Sequence, residues 1–351
     1  LGTHHHVIQA THEVIGSVFP DVIWHAETPV LRTAPAPMFL LSGLVHEQNM
    51  KVVITGEGAD ELLGGYDIFK EMLVRRFWAQ NPESELRPRL LTRLYPDIAG
   101  MSTPGKAYLK AFFKKDLTVT GSPYYSHAIR WNNGLRLPRF LQPQPLSSLE
   151  DQAAAIPLPA GFDGWSPLAK AQYLEMVTFL SPYLLSSQGD RMGMAHSVEG
   201  RFPFLDYRVV ELCNRLPSQW KMYGLTEKWL LRQFARELLP EEIWRRVKRP
   251  YRAPIHRSFF NPGAPEYILR LLSTEALEES GLFNPIAVQR LVLKAASGAP
   301  LSEVDDMAVA GILSTQLIHD EFVKYFSARR SRLTGADRVK VVRYTAEVNS
   351  L

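Results

Sequence analysis

Val52-Val53-Ile54-Thr55-Gly56-Glu57-Gly58-Ala59-Asp60-Glu61-Leu62-Leu63-Gly64-Gly65-Tyr66 is the stretch from which the fold of this chain is read. Val52 to Thr55 are four β-branched residues in succession, and the run stops at Gly56. That pattern predicts a buried, parallel strand running into a loop. Gly56 and Gly58 let backbone N–H groups approach a ligand closely, while Glu57, Asp60 and Glu61 place carboxylates just past the C-terminal end of the strand. In an open α/β sheet that end is where ligands bind. The plainer alternative is a strand, a tight turn and an acidic helix start, because Asp and Glu favour the first turn of a helix.

Upstream, the proline-rich run from Ala26 to Pro37 leads into a helix with Pro37 at its first position and Met38, Leu41, Leu44 and Val45 at helical spacing. Helix followed by strand is half of a crossover unit, and a parallel sheet needs more strands than the few visible before residue 60, so further N-terminal structure is expected. His4, His5 and His6 are adjacent, which suggests a metal site or a tag remnant. Successive side chains of a strand point to opposite faces, so all three would not converge on one ion, and a metal site is not the expected reading.

Downstream, residues 75–157 carry scattered prolines and aromatic residues without a repeat, and short helices are expected there. Ser166-Pro167 is a capping hydroxyl followed by proline at the first helical position, and the helix it opens passes Glu175 and should end or kink at Pro182. Between apolar residues, Asp190, Glu199 and Arg201 are costly unless paired, so a structural salt bridge from Glu199 or Asp190 to an arginine is expected. Asp206 should cap the helix Tyr207 to Leu216, closed by Pro217, and Cys213 falls in its apolar pattern as a core residue. Thr226 should cap a further helix with Leu230, Phe234 and Leu238 on one face. Lys228 in the first turn of that helix opposes the dipole, a broken local rule that is reasonable if the lysine meets phosphate or a carbonyl oxygen. Arg245-Arg246-Val247-Lys248-Arg249 begins the one basic cluster, a solvated loop on its plain reading. Ala308 to Ile318 is helical in pattern, and the charged tail from Arg329 reads as surface.

Composition narrows the class. The chain has 351 residues with 46% apolar content, enough for a large core in one or two domains. A net charge of +4 from 40 basic and 36 acidic residues, without a long basic run, does not point to nucleic acid. Apolar runs fall short of the ~20 residues of a membrane span and a signal peptide is not seen, so a cytoplasmic protein is expected. One cysteine cannot form an internal disulfide.

The segment from Thr55 to Tyr66 resembles the Ser/Thr-Gly-Glu-Gly-Ser/Ala-Asp-Glu-Φ-Φ-Gly-Gly-Tyr signature (Φ apolar) of the synthetase domain of glutamine-dependent asparagine synthetases. Asp190-Arg191-Met192-Gly193-Met194-Ala195-His196-Ser197-Val198-Glu199-Gly200-Arg201-Phe202-Pro203-Phe204-Leu205-Asp206 resembles a second block of that family, with Gly200 and Phe202 in place of the more usual Ala and Val. Two long ordered signatures are far more specific than a lone glycine motif. Gly2-Thr3-His4-His5-His6 is similar to the family's Gly-Thr-x-His-His element, which implies a strand lining the nucleotide crevice there, and Lys228 matches the lysine of its Lys-x-x-Leu-Arg element. Pro250-Tyr251-Arg252-Ala253-Pro254 is similar to a loop of one subgroup, and the resemblance implies a place for it beside the phosphate site.

The resemblance implies an α/β fold with an adenine-nucleotide alpha-hydrolase-like parallel sheet, incomplete at its N-terminus and flanked by many helices. It implies a ligase domain over residues 1–330, lacking its pyrophosphate loop, followed by a tail over 331–351. The implied reaction is ATP- and Mg²⁺-dependent amidation of aspartate through β-aspartyl-AMP. Its ammonia comes from glutamine on a glutaminase segment, and with the pyrophosphate loop that segment would be supplied in cis or as a separate chain. Implied for the site are Asp60 as a Mg²⁺ ligand, the loop residues Thr55, Gly56, Glu57 and Gly58 around the adenylate, Tyr66 and Glu175 as general acid/base or orienting groups, and Lys228 for phosphate and the developing oxyanion. Glu175 is also readable as an ordinary exposed carboxylate, and Lys228 as a solvated helix lysine. A homodimer is among the expected assemblies. Rival readings are a related amide or β-lactam-forming synthetase with a different acid pocket, and a non-catalytic subunit of a biosynthetic assembly.

Overall fold

The computed structural model describes residues 2–94, 103–143, 148–249, 251 and 253–326. The expected tail at 331–351, the charged segment from Arg329, and residues 250 and 252 of the basic loop lie outside the described residues. The fold is a mostly helical α/β arrangement with a small parallel sheet.

Helix α1 (His12–Ala26) opens on Thr11, whose hydroxyl accepts from Val14 N at 3.3 Å. It buries Ile15, Phe19, Val22 and Ile23. Phe19 and Ile23 join the largest core, with Phe259, Ile268, Leu277, Val288 and, from the helix Glu303–Ile318, Ile312 and Leu313. Helix α2 (Pro35–Glu47) starts earlier than its sequence suggests, because Pro35 and not Pro37 takes the first position, where its missing N–H costs nothing. The stretch with His4, His5 and His6 is exposed and has no regular structure, so the expected strand does not form there.

Strand β1 (Val52–Ile54) pairs in parallel with β2 (Glu199–Arg201), in the register Val52 to Glu199, Val53 to Gly200 and Ile54 to Arg201. The two long motifs of the chain therefore meet as neighbouring strands. The expected burial of β1 is not observed: Val52 is 38% and Ile54 76% exposed. The physical reason is that among the described residues the sheet has two strands, too few for its faces to be covered. Glu199 and Arg201 make the expected ion pair at 2.8 Å with each other, but both are more than half exposed, so the pair does not offset a buried charge.

Past the sheet, Gly58 (φ 90°) caps the short helix α3 (Ala59–Leu63) and Gly64 (φ 69°) ends it, both left-handed positions suited to glycine. Helix α4 (Asp67–Ala79) then buries Ile68, Phe69, Met72 and Trp78. Between residues 75 and 157 the described chain forms short helices, as expected, among them Tyr125–Gly134.

Ser166 caps the helix Pro167–Glu175 through Ala169 N at 3.2 Å. Beyond Glu175 the chain does not stop at Pro182 but continues to Asp190 in wider π turns with Pro182 inside. Relaxed turns of that kind tolerate the bond that proline cannot donate. Asp206 caps the helix Tyr207–Arg215 through Arg208 N at 2.9 Å, and Cys213 on it is buried in a small core with Leu62 and Leu63 of α3. The expected cap at Thr226 is not formed. Thr226 is bridged to Tyr223, the helix spans Trp229–Ala235, and Lys228 takes the cap position with φ 51°. Phe234 and Leu238, expected on a packed face, are 67% and 64% exposed. No described helix is long and apolar enough to cross a membrane.

Candidate active site

The acidic turn after β1 is gripped by two cations from distant parts of the chain. Lys248 Nζ donates to Asp60 Oδ2 at 2.9 Å, and Lys228 Nζ stands 2.9 Å from Asp60 Oδ1. The second contact is an ion pair without aligned hydrogen-bond geometry, which leaves Oδ1 free to accept another ligand. Lys228 is tied to the turn by its backbone as well, since its N–H donates to Leu63 O at 3.1 Å. Its left-handed backbone is a strained choice for a lysine, and it sets the side chain back over α3.

Two glycines make this approach feasible. A Cβ on Gly65 would lie 1.9 Å from Asp60 Oδ1 and 2.5 Å from Lys228 Cε. At Gly56 a Cβ would meet nothing within 4 Å among the described residues, so that backbone borders open space there. Gly58 differs, because its bare side packs on Leu205, which a Cβ would strike at 2.3 Å. Of the two loop glycines read as a cradle, Gly56 faces an opening and Gly58 serves the packing of the start of α3 against Phe204 and Leu205.

The remaining acids of the turn are less solvated. Burial, with Asp60 adding repulsion, raises the pKa of Glu57 against the pull of Lys248 and Lys228. Glu61 is pushed up to about 7, first by burial, and Asp60 and Glu57 reinforce the shift while a hydrogen bond from Tyr66 opposes it. That bond runs from the Tyr66 hydroxyl to Glu61 Oε1 at 2.8 Å. Tyr66 itself is held far above the ordinary phenol range, by burial and then by the Glu61 charge. Buried and without a hydrogen-bond partner are Glu61 Oε2 and Thr55 Oγ1. Lys248 Nζ lies 5.6 Å from the centre of the Tyr66 ring, which ties Tyr66 to the lysine side of the site.

Glu175 is not the exposed carboxylate of the plainer reading. It is buried and takes His127 Nε2 at 2.8 Å, while His127 Nδ1 meets Ser126 Oγ at 2.8 Å. Glu175 acts on Tyr66 only through its charge, because no hydrogen bond joins the two.

Behind the two lysines lies a hub absent from the sequence reading. Buried Glu227 pairs with Lys70 Nζ at 3.0 Å and with Arg232, and it accepts the backbone N–H of Lys248 at 3.2 Å. Burial raises its pKa, but its backbone bond, Lys70 and the Lys248 N–H outweigh that and leave it at about 2. Arg232 also donates to Trp244 O at 2.8 Å and Arg246 O at 2.9 Å, fastening the loop that delivers Lys248.

The structure thus gathers Thr55, Gly56, Glu57, Gly58, Asp60, Tyr66 and Lys228 in one place and sets Glu175 behind Tyr66. The basic run at 245–249 was the sequence signal for Lys248, although nothing singled that lysine out from its neighbours. Among the described residues, no group of three or more His, Cys, Asp or Glu could hold a metal by itself. The donor set suits a cation held by one carboxylate together with a substrate's oxygens, as Mg²⁺ commonly is.

Comparison with known proteins places the chain. The profile of the family described as Asparagine synthase matches residues 1–320. An amidase, chyE, of Penicillium rubens is 31% identical over 327 residues, covering 84% of this chain and 46% of that protein. A putative glutamine-hydrolyzing asparagine synthetase of Mycobacterium tuberculosis is 30% identical over 255 residues, 73% of this chain and 37% of its own length. Glutamine-hydrolyzing asparagine synthetase 1 of Bacillus subtilis is 28% identical over 236 residues, 67% of this chain and 36% of its own. The match spans less than half the length of each relative.

Proposed function

We propose that this chain, which belongs to the asparagine synthase family, carries the ATP-using amide-ligase site of an enzyme that converts aspartate to asparagine. The carrying observation is Asp60 held between Lys228 and Lys248 just past the C-terminal end of β1. In an adenine-nucleotide alpha-hydrolase-like fold, which the parallel pairing of β1 and β2 supports, that position borders the nucleotide.

In the proposed reaction the side-chain carboxylate of aspartate attacks the α-phosphorus of ATP. One P–O bond forms, the bond to pyrophosphate breaks, and β-aspartyl-AMP results. Ammonia then adds to the acyl carbon, loses a proton, and expels AMP. Lys228 and Lys248 stabilise the charge that spreads over the phosphoryl oxygens and later the tetrahedral oxyanion, and Gly56 lets the backbone come close to the nucleotide. Asp60 would hold Mg²⁺, which when bound supplies neutralisation of phosphate charge. Glu61, titrating near neutrality on the Tyr66 hydroxyl, is the group suited to take the proton from ammonia. Glu175 orients this pair through its charge. The ammonia would come from glutamine on a glutaminase segment such as the relatives' greater length allows.

The test is ATP–pyrophosphate exchange with aspartate, followed by mass-spectrometric identification of the product with ammonium present. The chain is assayed alone and joined to an N-terminal glutaminase and pyrophosphate-loop segment. Aspartate-dependent exchange and asparagine formation are expected. Absence of exchange in every form would instead favour a non-catalytic subunit.

A second reading has one specific support, the likeness to a protein named an amidase over 84% of this chain. On that reading the adenylating residues are unchanged and the acceptor acid differs, as in a related amide or β-lactam-forming synthetase. Exchange with other acids but not aspartate would select it.

A further inference from the structure

A separate cavity of 370 Å³ opens beside the helix Pro167–Glu175, lined by Trp165, Ser166, Gln172, Tyr173, Asn214 and Lys221 among others. We propose that it is a binding site for a small carboxylate with a flat apolar or aromatic body, anchored by Lys221. Nothing in the ligase reading requires it, and its failure would leave that reading intact.

The argument starts from the cost of a buried ammonium. Lys221 is 5% exposed, and among the described residues the lining of the cavity contains no acid. Among the described residues its one hydrogen-bond acceptor is Gln172 Oε1 at 3.0 Å, so two of its three N–H bonds lack a protein acceptor. Burial accordingly lowers its pKa, a cost that an anion in the cavity would offset. The nearby Cys213 thiol does not supply that anion, since burial raises its own pKa. Gln172 cannot turn to present anything else, because its amide nitrogen is committed to the carbonyls of Glu61 and Leu62 on α3. The ammonium therefore sits at a fixed point on the wall.

Shape and the other walls define the rest of the ligand. Trp165 and Tyr173 stand edge to face with ring centres 5.9 Å apart, and Trp165 is 38% exposed, so aromatic surface is available beside the cation. A volume of 370 Å³ lies in the range of small-molecule sites, about 300–1,000 Å³. Such sites pair apolar walls with a few polar groups that fix orientation, and here Lys221, Asn214 and Ser166 are those groups.

Calorimetric titration of the full chain with indole-3-acetate and with its neutral isostere indole-3-acetamide tests the proposal. The acid is expected to bind at least ten-fold more tightly than the amide. Lys221→Met should erase that difference, and Lys248→Met should leave it in place. Acetylation footprinting of the wild-type chain gives a readout that needs no folded variant: indole-3-acetate should slow modification of Lys221. The proposal is overturned if the acid and amide bind alike or not at all, if the preference survives Lys221→Met, if it is lost in Lys248→Met, or if Lys221 is not protected.

Discussion

Glu227 accepts the backbone N–H of Lys248 at 3.2 Å, so the residue preceding one site lysine in sequence fixes the main chain at the other. With Lys70 and Arg232 on the same carboxylate, Glu227 sets the spacing at which both ammonium groups meet Asp60. Glu227→Gln keeps the size of the side chain and removes the charge, leaving Arg232 without this counter-ion and Lys70 with Asp67 at 3.3 Å as its remaining carboxylate. A loss of roughly 3–5 kcal/mol is expected for breaking a buried pair from one side. Urea denaturation at pH 7 measures it. Because the folded pKa of about 2 lies below the ordinary 4.5, this stabilisation is fully present above pH 4.5 and is lost as pH falls toward 2. The wild-type and variant curves should therefore converge in acid.

Asp60→Asn tests the centre of the site. The substitution removes the charge between Lys228 and Lys248 and the carboxylate proposed to hold Mg²⁺. Aspartate-dependent pyrophosphate exchange should fall roughly 10²–10³-fold, the scale of losing one electrostatic element in an active site. Lys248→Met should reduce exchange by a similar factor while leaving the far-ultraviolet circular dichroism unchanged, because the substitution removes side-chain contacts to Asp60 and Tyr66 and keeps the backbone N–H bond to Glu227. Unaltered exchange in both variants would remove Asp60 and Lys248 from the chemistry.

Much of this arrangement was readable before the fold. The acidic turn, the caps at Ser166 and Asp206 and the burial of Cys213 follow from short-range rules of propensity, capping and pattern, whereas the partner strand Glu199–Arg201 was not read from the sequence. The departures share a cause in longer-range packing. Val52 and Ile54 carry a core-strand sequence, yet their exposure depends on how many strands stand alongside, which local sequence does not encode. Lys228 was expected inside the first helical turn; the tie from its N–H to Leu63 O draws it out to a left-handed cap position. Lys248 looked like one cation in a basic run because its distinction lies in Asp60, far away in sequence. Glu175 looked solvated because its partner His127 sits in a stretch without periodic signal.

Gly65 is the position where the site tolerates no side chain. A Cβ there would lie 1.9 Å from Asp60 Oδ1, and the Asp60 carboxylate cannot yield without releasing a lysine. Gly65→Ala should cost about 1–3 kcal/mol in stability, in line with overpacking elsewhere, and should lower exchange activity more than stability. Gly56→Ala is the matched control, since its Cβ would meet nothing within 4 Å among the described residues. It should leave the melting temperature unchanged and raise the KM for ATP. Equal effects of the two substitutions on nucleotide binding and stability would contradict the division of roles between these glycines.

Glu61 supplies the pH dependence expected of the site. Its folded pKa of about 7 exceeds the ordinary 4.5, so the folded protein holds this proton more tightly than the unfolded chain does. The associated stability is fully present below pH 4.5 and is lost as pH rises through about 7, a total of roughly 3 kcal/mol. Glu61→Gln cannot ionise, while its amide oxygen still accepts from the Tyr66 hydroxyl, so its stability should be nearly flat across that window in denaturation series at fixed ionic strength. The same proton governs the proposed second half-reaction. In the wild type, kcat for amide formation should rise with pH along a limb centred near 7, as Glu61 becomes able to accept a proton from the attacking ammonia. In Glu61→Gln that limb should vanish with the ammonia-dependent step slowed, whereas aspartate-dependent pyrophosphate exchange, which precedes the attack of ammonia, should persist. Loss of exchange to the same degree as amide formation would place Glu61 in adenylation instead of proton transfer.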